Sequence, residues 1–129
     1  KTQKFEDDYL DELFNLLDTL GFAAVTYMPS RNTRSQLERL RALCDQHQFF
    51  QISGEDINQP RQSFVCLAMR DPMFENLYDA AWALIGHERL ATDNLDQALF
   101  AAQAIEKTPD LTSRILSYRD HALKLFGQI

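Results

Sequence analysis

Two short apolar runs on either side of one amphipathic segment constrain the fold of this chain most strongly. The first run extends from Ala23 to Met28 and ends at a proline, and the second extends from Phe49 to Ile52 and ends at a serine and a glycine. Runs of this length bounded by turn residues are typical of buried parallel strands. Between them, Thr33 and Gln36 have the spacing of a helix capping box. The residues that form the apolar face of this helix are Leu37, Leu40, Leu43 and Cys44. The sequence therefore predicts a βαβ unit with parallel strands.

Helices are predicted on both sides of this unit. Before it, apolar residues recur at helical spacing, and Gly21 follows them as a left-handed C-cap. These apolar residues are Phe5, Tyr9, Leu13, Leu16, Leu17 and Leu20. From about Gln62 the pattern is helical to the end, with helices that begin at Asp71-Pro72, Thr92-Asp93 and Thr108-Pro109. We thus predict an α/β chain with a βαβ portion over residues 1–64 and a helical portion over residues 65–129.

Composition excludes several classes of protein. The chain has 129 residues, a formal net charge of -6 and 45% hydrophobic residues, which suits one folded domain and excludes a disordered chain. The acidic excess argues against bulk attraction to nucleic acid. No apolar run approaches the ~20 residues that span a bilayer, so we expect no membrane segment and a cytoplasmic protein. The chain opens at Lys1 without an initiator Met. We therefore expect either a single domain or a piece of a longer chain.

Polar residues that suit a binding site follow both predicted strands. In a parallel sheet, ligands bind beyond the carboxyl ends of the strands, which here means the loops Met28 to Thr33 and Ser53 to Phe64. The adjacent acids Glu55 and Asp56 suit a hard divalent cation, because such cations prefer oxygen ligands. Arginines occur in both loops, at positions 31 and 61, and suit a phosphate, since guanidinium groups pair with its oxygens.

A purely structural interpretation of the same residues remains open at this point. Asp56 or Asn58 can cap a following helix, and Arg61 can pair with Glu55 at the surface. The histidines also have structural interpretations. His87 is predicted near a helix C-terminus, where it interacts with the helix dipole, and it is also a minor candidate for a metal ligand or a base. His47 and His121 are predicted to be structural. The two cysteines, Cys44 and Cys66, match no zinc or disulfide spacing and are expected as reduced thiols.

The stretch from Gly21 to Phe64 resembles the last part of the catalytic domain in the PHP (polymerase and histidinol phosphatase) superfamily of metal-dependent phosphoesterases. In that superfamily one strand ends in an Ala-Val-x-x-His-Pro motif, a helix follows, and the next strand ends in a Gly-Ser-Asp-x-His motif. The corresponding segments of this chain read AAVTYMP and ISGEDINQPRQSF. The strings YMPSRNT, SGEDIN and PRQSF are similar to those of a bacterial subgroup. The resemblance covers about a third of the chain.

This resemblance implies a distorted (β/α) barrel and the hydrolysis of a phosphate ester. Two or three ions of zinc, manganese or magnesium would polarise the ester and lower the pKa of a bound water that attacks phosphorus. The implied partners are a phosphorylated small molecule or nucleotide, and a second copy of the chain for a homo-oligomer. The implied metal ligands and catalytic residues are Glu55 and Asp56, with Asn58 as a further ligand, and the implied phosphate contacts are Arg31, Asn32 and Arg61.

The chain also departs from the superfamily pattern. Met28 and Asn58 stand where the two motifs have histidine, and the sequence contains no His-x-His. A thioether does not suit these ions, and an amide oxygen is a poorer zinc ligand than imidazole. The alternative prediction is therefore a degenerate PHP-like or other α/β module that binds a partner or nucleotide without hydrolysis. Under either prediction we expect this chain alone to be inactive.

Overall fold

The computed structural model describes residues 8–127 and has a mixed α/β fold that is mostly helical. The chain divides into two compact units, Lys1–Phe74 and Glu75–Ile129. The elements of the first unit are α1 (Leu10–Thr19), β1 (Ala24–Tyr27), α2 (Arg34–His47), β2 (Phe50–Ser53) and two 3₁₀ turns (Leu67–Arg70 and Pro72–Phe74). Those of the second are α3 (Glu75–Asp93), a 3₁₀ turn (Leu95–Gln97), α4 (Ala102–Lys107) and α5 (Leu111–Leu125).

The predicted βαβ unit is confirmed. Strands β1 and β2 pair in parallel, with Ala24 opposite Phe50 and Tyr27 opposite Ser53. Helix α2 connects them and begins at Thr33, where the predicted capping box with Gln36 is present in both directions. The two strands therefore end side by side at one edge, which brings the loops that follow them together.

Helix α1 ends as its sequence predicts. Gly21 has a φ of 76°, and its N–H donates to the Asp18 carbonyl. The N–H of Phe22 donates to the Leu17 carbonyl, which completes a Schellman motif. The part of the predicted helix around Phe5 lies outside the described residues.

The core of the first unit lies between α1 and α2. One cluster of its buried members consists of Leu10, Phe14, Leu43, Cys44 and Phe49. The His47 ring packs between Phe14 and Phe49, with centroids 5.7 Å from each. The side chain of His47 is only 10% exposed, so this histidine is structural, as predicted.

Two predicted features after β2 are wrong. Residues 54–66 form an irregular loop, so the helical pattern does not begin at Gln62 and no helix follows Asp56 or Asn58 for either to cap. The reason is local competition for hydrogen bonds. The Gln62 side chain accepts from the N–H groups of Asn58 and Gln59, both at 2.8 Å, and donates to the Asp56 carbonyl at 3.0 Å. These bonds satisfy the backbone without a helix.

The helix boundaries in the second unit also differ from the prediction. Helix α3 continues through Gly86 and His87 and ends at Asp93, so Thr92-Asp93 closes a helix instead of opening one. The last helix begins later than predicted, because Asp110 is its N-cap and accepts from the Ser113 N–H at 2.7 Å. Over residues 8–127, no helix is both long enough and apolar enough to cross a bilayer.

Candidate functional site

The candidate site lies where the loops after β1 and β2 meet. Gly54 begins the second loop, and its N–H donates to the Tyr27 carbonyl at 3.0 Å. A Cβ at position 54 would lie 2.0 Å from the Thr26 methyl group, so a side chain here would collide with β1. Glycine therefore lets the second loop leave the sheet directly beside the first.

Glu55 fastens the two loops together. Its Oε2 accepts a hydrogen bond from the Ser30 hydroxyl at 2.6 Å, and its Oε1 accepts from the Ser30 N–H at 3.0 Å and from the Cys66 thiol at 3.4 Å. Burial raises the pKa of the Glu55 carboxyl, but these bonds and the Arg31 charge outweigh burial, so the pKa lies below its usual value. Glu55 is thus ionised at neutral pH and links the loop after β1 to both ends of the loop after β2.

Arg31 and Asp56 line the same cavity, which has a volume of about 330 Å³. Glu55 lies in its wall, and the other side is apolar and formed by residues such as Phe64, Val65 and Leu67. The Phe64 side chain is 87% exposed. The cavity therefore combines one guanidinium and two carboxylates with an apolar wall, which is the mixture expected of a ligand site.

The remaining predicted site residues lie elsewhere. Asn32 donates from Nδ2 to the Met28 carbonyl at 3.0 Å and lines a neighbouring cavity of about 290 Å³ with Arg34 and Asp71. Asn58 uses its backbone N–H to bond Gln62. Neither Asn58 nor Arg61 is among the residues that line the Arg31–Asp56 cavity. Within the described part of the chain, the Glu55 carboxylate bonds Ser30 and Cys66 instead of forming the surface ion pair with Arg61.

Sequence reasoning missed the roles of Ser30, Gln62 and Cys66. Ser30 carries a signal, since a hydroxyl in the loop that follows a strand is well placed to bond a neighbouring loop. Cys66 carries none, because Glu55 was not expected to approach it, and Gln62 carries none, because its polar side chain also fits the helical pattern expected from that position. Cys66 contacts a residue eleven positions earlier in the chain.

A complete metal site is not present among the described residues, where no group of three or more His, Cys, Asp or Glu side chains could hold an ion. The chemistry of the donors agrees with this. Both lone pairs of Glu55 Oε1 are used, since it accepts from Ser30 and Cys66, which leaves one lone pair on Oε2. Residues 8–127 therefore do not by themselves supply the ligand set that the PHP resemblance implies.

The other conspicuous side chains have structural roles. His87 lies inside α3, where its Nδ1 accepts the Leu99 N–H at 2.9 Å, so the predicted interaction with a helix C-terminus is wrong. Both cysteines are free thiols, as predicted. Burial, followed by the Asp45 charge, raises the pKa of Cys44 to about 12, so its thiol is not a nucleophile at neutral pH.

Comparison of the chain with protein families, with curated proteins and with solved structures gives no match.

Proposed function

We propose that the chain is the C-terminal portion of a PHP-like phosphoesterase domain and binds the substrate phosphate. The observation that carries this proposal is that Arg31 and Asp56, from loops after neighbouring parallel strands, line one cavity. In the proposal, β1 and β2 join further strands of the whole protein in a distorted (β/α) barrel. The substrate is a phosphorylated small molecule or a nucleotide.

Arg31 is the phosphate contact in this proposal. Among the described residues, its guanidinium takes part in no hydrogen bond or ion pair, whereas its backbone N–H donates to the Met28 carbonyl at 3.2 Å and fixes the turn. The adjacent Ser30 is held by Glu55. An arginine on a fixed backbone with unused donors is suited to binding phosphate oxygens in pairs.

Asp56 makes the proposed binding depend on a cation. Its carboxylate and a phosphate in the same cavity repel each other unless a positive charge lies between them. Arg31 supplies one such charge. A divalent ion would supply more, but it needs ligands beyond Asp56 and the single lone pair left on Glu55 Oε2. In the proposal, the rest of the domain contributes those ligands.

A second candidate function is phosphate or nucleotide binding without hydrolysis. The specific observation in its favour is that both carboxylate oxygens of Glu55 accept hydrogen bonds from Ser30 and so hold the loops together. The substitution of the two motif histidines by Met28 and Asn58 points the same way. Under this candidate function Arg31 keeps its role, and no metal centre is assembled.

Binding is tested by titrating the chain with inorganic phosphate and with adenosine monophosphate, with and without Mn²⁺, while the amide NMR signals of both loops are followed. Arg31→Met should weaken binding about tenfold, the value of one charge-assisted pair. Arg89→Met is the matched control, because Arg89 is an exposed arginine on α3 in the other unit. Equal binding by the two variants contradicts the proposal.

Hydrolysis is tested on the whole protein with p-nitrophenyl phosphate and with metal analysis. The phosphoesterase proposal expects turnover, and it expects Asp56→Asn to lower both turnover and bound metal. Unchanged metal content in Asp56→Asn removes this residue from the site. Phosphate binding that depends on Arg31 without any turnover supports the second candidate function instead.

A further inference from the structure

A larger cavity lies in the second unit, far along the chain from the loops described above. Its volume is about 470 Å³, within the range of small-molecule sites. Its walls come from the end of α3, the turn Leu95–Gln97, α4 and α5. The Tyr118 hydroxyl donates to the Gln97 carbonyl at 2.6 Å and so fixes one wall to the next.

The feature that distinguishes this cavity is Arg114, which lines it and is only 5% exposed. Its Nη1 donates to the carbonyls of Thr108 and Pro109, at 2.7 and 3.2 Å. Its Nε is buried and has no hydrogen-bond partner in residues 8–127. The guanidinium lies 5.9 Å from the centre of the Phe100 ring. A buried group that can donate five hydrogen bonds is thus only partly satisfied.

The Arg114 charge is also not balanced by an ion pair within the described residues. Asp110 affects it only at longer range, and the Asp110 carboxylate already accepts hydrogen bonds as the cap of α5. Burial lowers the pKa of Arg114, but the guanidinium stays protonated under ordinary conditions. A buried cation without an anion is costly, so the site favours any anion that enters it.

The remaining polar groups of the cavity suit the same ligand. Lys107 adds a second positive charge, and Thr108 and Ser117 add hydroxyl groups. Asp96 is the one carboxylate in the lining, so arginine and lysine leave a net positive charge there. This contrasts with the net charge of -6 for the whole chain.

We propose that this cavity binds a small oxyanion, either a phosphate or a carboxylate, between Arg114 and Lys107. Arg114 binds it from the buried side, and Lys107 binds it from the exposed side. This site is separate from the Arg31 cavity and does not depend on the function proposed for it. The two sites share no residue.

The test is an NMR titration of the full chain with inorganic phosphate and, separately, with sodium acetate at constant ionic strength. The signals to follow are the Arg114 Nε–H and the amides of Thr108 and Ser117. The proposal expects saturable shifts of these signals with at least one anion and a Kd in roughly the millimolar range. The anion that saturates identifies the ligand as a phosphate or a carboxylate. Shifts that do not saturate with either anion overturn the proposal.

Variants separate this site from general surface attraction. Lys107→Met should raise the Kd about threefold, whereas Lys124→Met, at an exposed position of α5, should leave it unchanged. Arg114→Lys keeps the charge but not the paired donors and should weaken binding further. If Arg114→Lys does not fold, the comparison of Lys107→Met with Lys124→Met still decides. Equal effects of these two lysine variants on the Kd overturn the proposal. Arg31→Met changes only the other cavity, so loss of the Thr108 shifts in that variant also overturns it.

Discussion

Replacing Gly86 with alanine tests how closely α3 and α5 approach each other. A Cβ at position 86 would lie 2.2 Å from the carbonyl oxygen of Tyr118 and 3.0 Å from its carbonyl carbon. Ordinary van der Waals contact for a Cβ begins at 3.4 Å. Because the obstructing atoms belong to the backbone of α5, no side-chain rotation relieves the collision. The helices must move apart by about 1 Å, which disturbs the buried packing along both of them.

Two effects of opposite sign decide the result. Alanine in a helix interior is favoured over glycine by about 1 kcal/mol. Overpacking a tight contact typically costs about 1–3 kcal/mol, and a backbone obstruction belongs at the upper end of that range. The collision therefore exceeds the gain in helix propensity, and Gly86→Ala should lower the free energy of unfolding by about 1–2 kcal/mol.

Urea unfolding followed by tryptophan fluorescence measures this effect. Trp82 is the one tryptophan of the chain and lies on α3, with its ring 6.5 Å from that of Phe126, so its emission reports on the second unit. Ala81→Gly is the matched control, because position 81 is an exposed site on the same helix and should show only the propensity loss of about 1 kcal/mol. If Gly86→Ala is as stable as the unmodified protein or more stable, the close approach of α3 and α5 is refuted.

Three further predictions concern the first unit. Glu55→Gln should destabilise the protein at pH 7 but not in acid. A carboxylate with a lowered pKa stabilises the fold above its unfolded pKa and loses that contribution as the pH falls through the folded pKa. Urea unfolding of both proteins at pH 7 and pH 3 tests this, and an equal loss of unfolding free energy at the two pH values contradicts it. Thr33→Ala should lower the free energy of unfolding by about 1 kcal/mol in circular dichroism experiments, whereas Thr33→Ser should keep the cap and the stability. Ellman's reagent should react quickly with Cys66 alone, since Cys44 is fully buried with a pKa of about 12. In Cys66→Ser only Cys44 remains, and a fast reaction of that variant would contradict this assignment.

The parts of the fold that the sequence predicts correctly depend on neighbouring residues. The capping box at Thr33 and the left-handed glycine at position 21 are local signals, and each fixes a helix end without help from the rest of the chain. The pairing of β1 with β2 follows from the short helix between them, because two parallel strands joined by one crossover usually lie side by side.

Two of the errors, at Gly86 and His87, arise where a residue contacts a distant part of the chain. Gly86 precedes His87, which is predicted near a helix C-terminus, yet both lie inside α3, and the backbone of Tyr118 closely approaches Gly86. His87, which follows it, accepts a hydrogen bond from Leu99, twelve residues later. Neither Tyr118 nor Leu99 carries a signal that identifies it as a partner. The periodicity of one helix therefore could not distinguish a glycine that allows close packing inside the helix from a glycine that ends it.

The candidate site also has one feature that the sequence predicts and one that it does not. The shared cavity of Arg31 and Asp56 is predictable, because the topology of parallel strands alone brings their loops to one edge. The role of Glu55 is not, since it depends on the approach of Ser30 from the other loop and of Cys66 from the far end of its own loop. A glutamate in this loop suggested a metal ligand, whereas the hydrogen bonds of Glu55 to Ser30 and Cys66 make it a link between the loops.

The use of Glu55 as a link has a consequence for any ligand at this edge. Ser30 precedes Arg31 in the chain, so the carboxylate that holds the Ser30 N–H and hydroxyl also fixes the backbone from which the Arg31 guanidinium extends. If Glu55 turned toward a metal ion with both oxygens, it would release Ser30 and loosen Arg31, the residue proposed to bind phosphate. Metal binding through both oxygens and the proposed phosphate binding through a fixed Arg31 would therefore compete for the same carboxylate. A ligand set that leaves Glu55 bound to Ser30 and takes Asp56 as the coordinating acid avoids this conflict.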